Sequence, residues 1–227
     1  MRSMRAILIL GMHRSGTSCL TGLLEQAGVF LGNVSRKNLY NLKGNHENPR
    51  IMNLHDELLK RKGGSWQEPP EVVVWPKDLK KIRDEIIRDY AGKTCWGFKD
   101  PRTLLVLEGW MEVIPSLQLV GIYRHPLLVA ESLLRRDKFS IEKGLSLWAR
   151  YNEKLLTYYK KYHFPIISFD NEPFSEKFSQ LCKLLGLLTG VKTDFFDPRL
   201  RRAHSSIDIA LPEKISQLYL ELENIAL

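Results

Sequence analysis

Four short runs of apolar and β-branched residues stand out along the chain, at 5–10, 94–99, 117–123 and 164–169. They are too short for helices and lie between turn-forming residues, so each predicts a buried β-strand. Between them apolar residues recur at helical spacing. Leu20, Leu23, Leu24 and Ala27 share one face, and Gly28 closes that segment. The same spacing joins Leu79, Ile82, Ile86 and Tyr90, then Phe178, Leu181, Cys182 and Leu185 before Gly186, and finally Ile215, Leu218, Leu222 and Ile225. Residues 146–162, SLWARYNEKLLTYYKKY, make a further long amphipathic segment. Strands alternating with helices predict right-handed crossovers and an α/β fold with a mostly parallel sheet flanked by helices. Ligands of such sheets bind at the carboxyl ends of the strands, which places the loops after Leu10, Phe98 and Tyr123 on one rim. The less regular stretch 28–76 predicts loops and short helices over that rim, where a ligand is selected.

Composition narrows the class. A chain of 227 residues predicts a single domain, 1–227, with one substantial core. With 44% hydrophobic and 26% charged residues, global disorder is excluded. No apolar run reaches the length of a membrane span. The opening MRSMRAILILGMHR has the flavour of a signal peptide, but its apolar run is about five residues and enters a glycine loop. It reads as the first strand, and the chain as cytoplasmic. Cys19, Cys95 and Cys182 are odd in number and far apart, which fits reduced thiols better than a disulfide framework or a metal site. Asn33 opens an N-V-S glycosylation pattern that reads as chance without a secretory signal. The net charge of +8 is spread along the chain; it suits a polyanionic ligand and does not imply nucleic acid.

The richest stretch is GMHRSGTS, Gly11 to Ser18, between the first strand and the first helix. Gly11 and Gly16 permit a tight turn, so the amides of Ser15 through Ser18 converge on an anion at the helix amino terminus. Thr17 and Ser18 add hydroxyl donors. The spacing matches a nucleoside-triphosphate loop, yet Thr17 stands where that loop carries lysine. Arg14 offers instead a planar fork suited to a sulfonate or terminal phosphate. A second stretch, YRHPLLVAES, places Arg124 at the end of a strand, Pro126 at a helix start and Ser132 about two turns on. Taken alone, Ser132 reads equally well as an ordinary helix serine.

Together the two stretches resemble the sulfotransferases. GMHRSGTS is similar to their 5′-phosphosulfate loop, and YRHPLLVAES to the motif whose arginine and serine hold the 3′-phosphate of 3′-phosphoadenosine 5′-phosphosulfate. The resemblance implies a sulfotransferase fold related to the P-loop nucleotide hydrolases. It assigns Arg14, Ser15, Gly16, Thr17 and Ser18 to the 5′ side and Arg124 and Ser132 to the 3′ side. ISFDNEPFSEKFSQLCKLLGL is similar to the family's late strand and helix, with Phe169, Asp170 and Asn171 where Tyr-Glu-Asp is usual. DPRLRRAHS is similar to a basic segment of bacterial members; Arg199, Arg201 and Arg202 either close over the 3′-phosphate or form a salt-bridged surface.

Further, GFKDPR resembles the tyrosylprotein branch, which implies that Lys99 stabilises the transferring group. On the residues alone, Asp100 and Pro101 read as a helix cap and first turn. In GNHENPR the resemblance implies Glu47 as the base for the acceptor proton, with His46 its rival on intrinsic acidity. His55 reads as lying on a helix flank, and His13 as contacting ligand or supporting the turn. Trp66, Trp75 and Trp148 read as adenine or acceptor stackers or as packing residues.

The implied function is transfer of a sulfonate from 3′-phosphoadenosine 5′-phosphosulfate to a hydroxyl or amine, with adenosine 3′,5′-bisphosphate as product and no metal required. Small-molecule, carbohydrate, lipid and peptide acceptors all stay open. Two other readings also stay open: a P-loop kinase or nucleotide hydrolase with Lys99 as displaced lysine, and a non-catalytic bisphosphate-binding domain.

Overall fold

The computed structural model describes residues 5–36, 44–170, 173–190, 205 and 209–227. Four strands form one parallel sheet: β1 (Arg5–Leu10), β2 (Cys95–Lys99), β3 (Leu117–Tyr123) and β4 (Ile166–Ser168), in the order β2-β1-β3-β4. The chain leaves β1 for one edge and then crosses back over it to β3, so the strand order reverses around β1. A crevice at the carboxyl ends of β1 and β3 follows from that reversal. The registers Ile9↔Lys99 and Leu10↔Gly121 bring the ends of β2 and β3 beside the exit of β1.

Continuous apolar runs make buried parallel strands because both faces are covered. On one face, α1 (Thr17–Gln26) and α7 (Phe174–Leu184) pack Leu20, Leu23, Leu24, Phe178 and Leu181 against Ile7, Ile9 and Ile122. The other face carries the larger core, built from α2 (Pro49–Lys60), α3 (Lys77–Arg88), α4 (Thr103–Met111), α5 (Pro126–Asp137), α6 (Ile141–Tyr162) and α8 (Glu213–Ile225). Leu8, Leu10, Phe98, Trp110 and Trp148 lie at its centre. No helix among the described residues is long and apolar enough to cross a membrane.

Two details depart from the sequence pattern. Ile82, given to the buried face of α3 by spacing, is exposed, and Arg83 takes the inward place. Its aliphatic stem is buried while its guanidinium donates to the carbonyl of Gly109 and meets Glu112. In α4, Val106 has non-helical torsions (φ −138°, ψ 17°), and its carbonyl accepts from Trp75 Nε1 at 3.1 Å. A cavity of about 820 Å³ opens beside α4, α6 and the start of α8, lined in part by Leu105, Leu145, Ala149 and Ile215; none of the residues assigned above to chemistry lines it.

Candidate active site

The loop after β1 is fixed by close contacts. A Cβ on Gly11 would lie 2.5 Å from the carbonyl oxygen of Ile122. Gly16 has φ +83°, and a Cβ there would sit 2.3 Å from the ring of Phe169. Both torsion and space therefore require glycine at 16. Arg14 also adopts a left-handed φ of +68°. Gly16 precedes α1 without any side-chain cap, so the first-turn N–H groups and the positive end of the helix dipole are left for a ligand. Ser15 divides its roles. Its N–H donates to Met12 O at 3.3 Å, closing the turn, so the amide cup runs from Gly16 rather than from Ser15. Its buried Oγ has no hydrogen-bond partner among the described residues. Thr17 is buried, and Ser18 Oγ donates to Asn45 O at 3.1 Å.

Lys99, the last residue of β2, is fully buried and converges on the same loop. Its Nζ donates to Ser18 Oγ at 3.2 Å and to Glu47 Oε1 at 2.6 Å. Glu47 is held by the start of α2, where Asn48 caps the helix by accepting from Arg50 N at 2.9 Å and Pro49 occupies the first turn. The adjacent His46 diverges. It has φ +53°, and its Nδ1 lies 3.4 Å from Glu25 Oε2 on α1. Hydrogen bonding from Arg36, with a smaller contribution from His46, holds the Glu25 carboxyl below its ordinary range. Glu47 thus meets Lys99, which also reaches Ser18, while His46 meets Glu25.

Behind Lys99 lies a buried polar chain. Asp100 Oδ1 accepts from Arg102 N at 2.9 Å, and both its oxygens face Arg102 Nη1 at 3.0 and 3.1 Å. Asp100 therefore caps a turn, and α4 begins two residues later than Pro101, at Thr103. His55, read as a helix-flank residue, is instead fully buried. Its Nε2 accepts from Trp110 Nε1 at 2.9 Å, and its Nδ1 is 3.4 Å from Asp100 Oδ2. An indole N–H only donates, so the imidazole proton must sit on Nδ1, facing the carboxylate. Burial alone would push the Asp100 carboxyl up; Arg102, His55 and the Arg102 N–H outweigh it and hold it well below the carboxylate range.

The second constellation closes on the first. Arg124 follows β3, and Pro126 opens α5, where Ser132 is buried on the inward face. Ser132 Oγ accepts from Arg14 Nε at 2.8 Å. Arg124 Nη1 approaches Arg14 O at 3.5 Å, and Trp148 Nε1 donates to Arg124 O at 2.8 Å. Arg14 thus turns toward the clamp assigned to the 3′ side, although the sequence placed it on the 5′ side. Burial, with the nearby guanidinia of Arg136 and Arg124, pushes Arg14 down to about 10. It stays cationic at neutral pH, in surroundings that favour an anion.

No protein-family model matches the sequence, and no curated protein matches it significantly. Solved structures do match in shape. The sulfotransferase domain of the Synechococcus PCC 7002 olefin synthase aligns over 98% of this chain and 96% of its own, with TM-score 0.60 and 17% identity. The chain has the sulfotransferase fold. A sulfotransferase from Alicyclobacillus acidocaldarius shares this fold over 98% of this chain and 92% of its own, with TM-score 0.53 and 16% identity. Sulfotransferase STF9 from Mycobacterium avium does so over 97% and 76%, with TM-score 0.54 and 14% identity.

Within this sulfotransferase fold, several other candidates have settled positions. Trp75 and Trp148 are core residues. The Trp66 ring has His13 at 4.4 Å and the Arg136 guanidinium at 5.5 Å, so these two groups already occupy much of its stacking surface. Arg199, Arg201, Arg202 and Asn171 lie outside the described residues. Among the described residues no group of three or more His, Cys, Asp or Glu is placed to hold a metal ion.

His13 gives a pH prediction. Burial first, then the charges of Arg102 and Arg136, push its pKa well below 6.5. Its Nε2 is enclosed without a partner among the described residues. Such a histidine must shed its proton to fold, so the unfolded chain binds more protons and stability falls as pH drops below 6.5. The urea midpoint of the wild type should fall between pH 7 and 5.5, and H13Q should flatten that dependence; an unchanged slope would count against the buried neutral ring.

Proposed function

We propose that this protein is a sulfotransferase that moves a sulfonate from 3′-phosphoadenosine 5′-phosphosulfate to a hydroxyl or amine of its acceptor. The observation that carries the reading is the 2.8 Å bond between Arg14 and Ser132, 118 residues apart, beside the Lys99–Glu47 pair. One loop and one clamp, each suited to an anion, are thereby joined into a single cluster with a base candidate next to it.

The residues present fit the donor nucleotide. The Ser15 Oγ, without a hydrogen-bond partner among the described residues, and the first-turn amides of α1 suit the 5′ phosphosulfate. Arg124, Ser132 and Arg14 suit the 3′-phosphate; Ser132 accepts from Arg14, so its own O–H remains to donate. When bound, the nucleotide supplies the transferable sulfonate and the leaving bisphosphate. Lys99 places a fixed ammonium on the leaving side, where stabilisation of developing charge lowers the barrier. Glu47 takes the proton of the acceptor; its Oε1 is engaged by Lys99, which leaves Oε2 for that transfer. Residues of the stretch 28–76, which contains Glu47, select the acceptor, whether small metabolite, carbohydrate, lipid or peptide.

Calorimetry tests the reading directly. Adenosine 3′,5′-bisphosphate should bind without metal and far more tightly than ATP with magnesium. The reverse preference would point to a nucleotide hydrolase or kinase and defeat the proposal. Bisphosphate binding with no transfer to any acceptor in a broad screen would leave a binding domain only.

A further inference from the structure

The residues just beyond β4 touch both halves of the cluster. Phe169 lies against Gly16 of the loop, and the Arg124 guanidinium sits 5.4 Å from its ring centroid. Asp170 follows. Its Oδ1 accepts from Arg124 Nε at 3.2 Å, and its Oδ2 accepts from His125 N at 2.7 Å. Asp170 is itself pinned, because its N–H donates to Ser168 Oγ at 3.3 Å. Two backbone-anchored acceptors therefore grip the inner edge of one arginine and the peptide that follows it.

We infer that Asp170 is a positioning residue that aims Arg124 at the 3′-phosphate, and so sets the preference for a nucleotide carrying that group. This inference rests on the reading of the cluster as a bisphosphate site. Taking the Nε edge of Arg124 fixes the plane of the guanidinium, and with it the direction in which its outer edge points. The Arg124 and His125 groups that face the carboxylate are both N–H donors. An asparagine has only one acceptor oxygen, so its amide nitrogen must face a donor on one side, and the grip is lost although size and shape are kept.

The test compares adenosine 3′,5′-bisphosphate with adenosine 5′-monophosphate by calorimetry on the full chain. D170N should weaken bisphosphate binding by about tenfold or more, the scale of one charge-assisted contact, and change monophosphate binding by less than about twofold. D170E keeps two acceptor oxygens but displaces them by one methylene, so it should shift the preference in the same direction; it carries the test if D170N does not fold. In an R124K background the Nε donor is absent, and D170N should then cost less than about twofold, a non-additivity that a scaffolding role would not produce. Equal weakening of both nucleotides, or an unchanged preference in D170N, overturns the inference. If the wild type binds the two nucleotides equally, the 3′-phosphate assignment fails and takes this inference with it. If the wild type prefers the bisphosphate and D170N keeps that preference in full, only the role of Asp170 fails.

Discussion

Replacing Glu47 by glutamine is expected to lower turnover by about 10²–10⁴-fold, the usual contribution of a positioned general base, while bisphosphate affinity stays within about twofold. The separation of the two effects follows from the geometry. Lys99 Nζ donates to Glu47 Oε1 at 2.6 Å inside a buried pocket. The glutamine oxygen can still accept that bond, so the ammonium keeps a partner. Alanine at 47 would leave it with the Ser18 hydroxyl but no counter-charge, and removing one partner of a buried pair costs about 3–5 kcal/mol of stability. Glutamine is therefore the informative variant, since its loss reports proton transfer rather than folding. Steady-state rates, calorimetry and a thermal melt on E47Q measure the three quantities. Turnover near the wild-type level would place the base elsewhere.

Replacing Arg124 by alanine is expected to produce the largest loss of binding, about 100-fold for adenosine 3′,5′-bisphosphate, because two charge-assisted bonds of roughly 1.5 kcal/mol each are removed. Folding should survive. Asp170 keeps the His125 N–H as a donor, and its side chain is 15% exposed, enough for water to replace the guanidinium. The Trp148 bond is to the main-chain oxygen of residue 124 and is untouched by the substitution. A thermal melt within a few degrees of wild type, together with the affinity loss, is the expected pair of results. Retained affinity would show that the clamp faces something other than the 3′-phosphate.

The sheet was legible in the sequence because fully buried parallel strands need uninterrupted apolar runs, and RAILIL, CWGFK and LQLVGIY supply them. The last strand is shorter than its run. Pro165 has no N–H and enters the ladder only by accepting from Gly121 N at 2.9 Å, so pairing as a strand begins at Ile166. His55 was within reach of pattern alone. It lies four residues from both Ile51 and Leu59, and that spacing is the apolar face rather than the flank of α2. The direction of Arg14 was not legible, because local sequence puts it in the loop and only the tertiary approach of α5 turns it to Ser132. Asp170 was quoted for its resemblance, yet nothing local assigns it a partner. Its two donors come from the end of β3, and they meet it only because β4 lies beside that strand.

β4 pairs over three residues, Gly121↔Ile166 to Tyr123↔Ser168, with Leu227 N donating to Ile166 O from the outer side. Its two isoleucines serve opposite faces, Ile166 in the larger core and Ile167 in the smaller. A shift of one position would still present an isoleucine to one of those faces, so greasiness is a poor ruler here. The carboxylate that grips Arg124 and His125 supplies the missing graduation mark. Alignment of the sheet's outermost thread and the aim of its cationic fork are thus written in the same two bonds, and neither can drift without dragging the other.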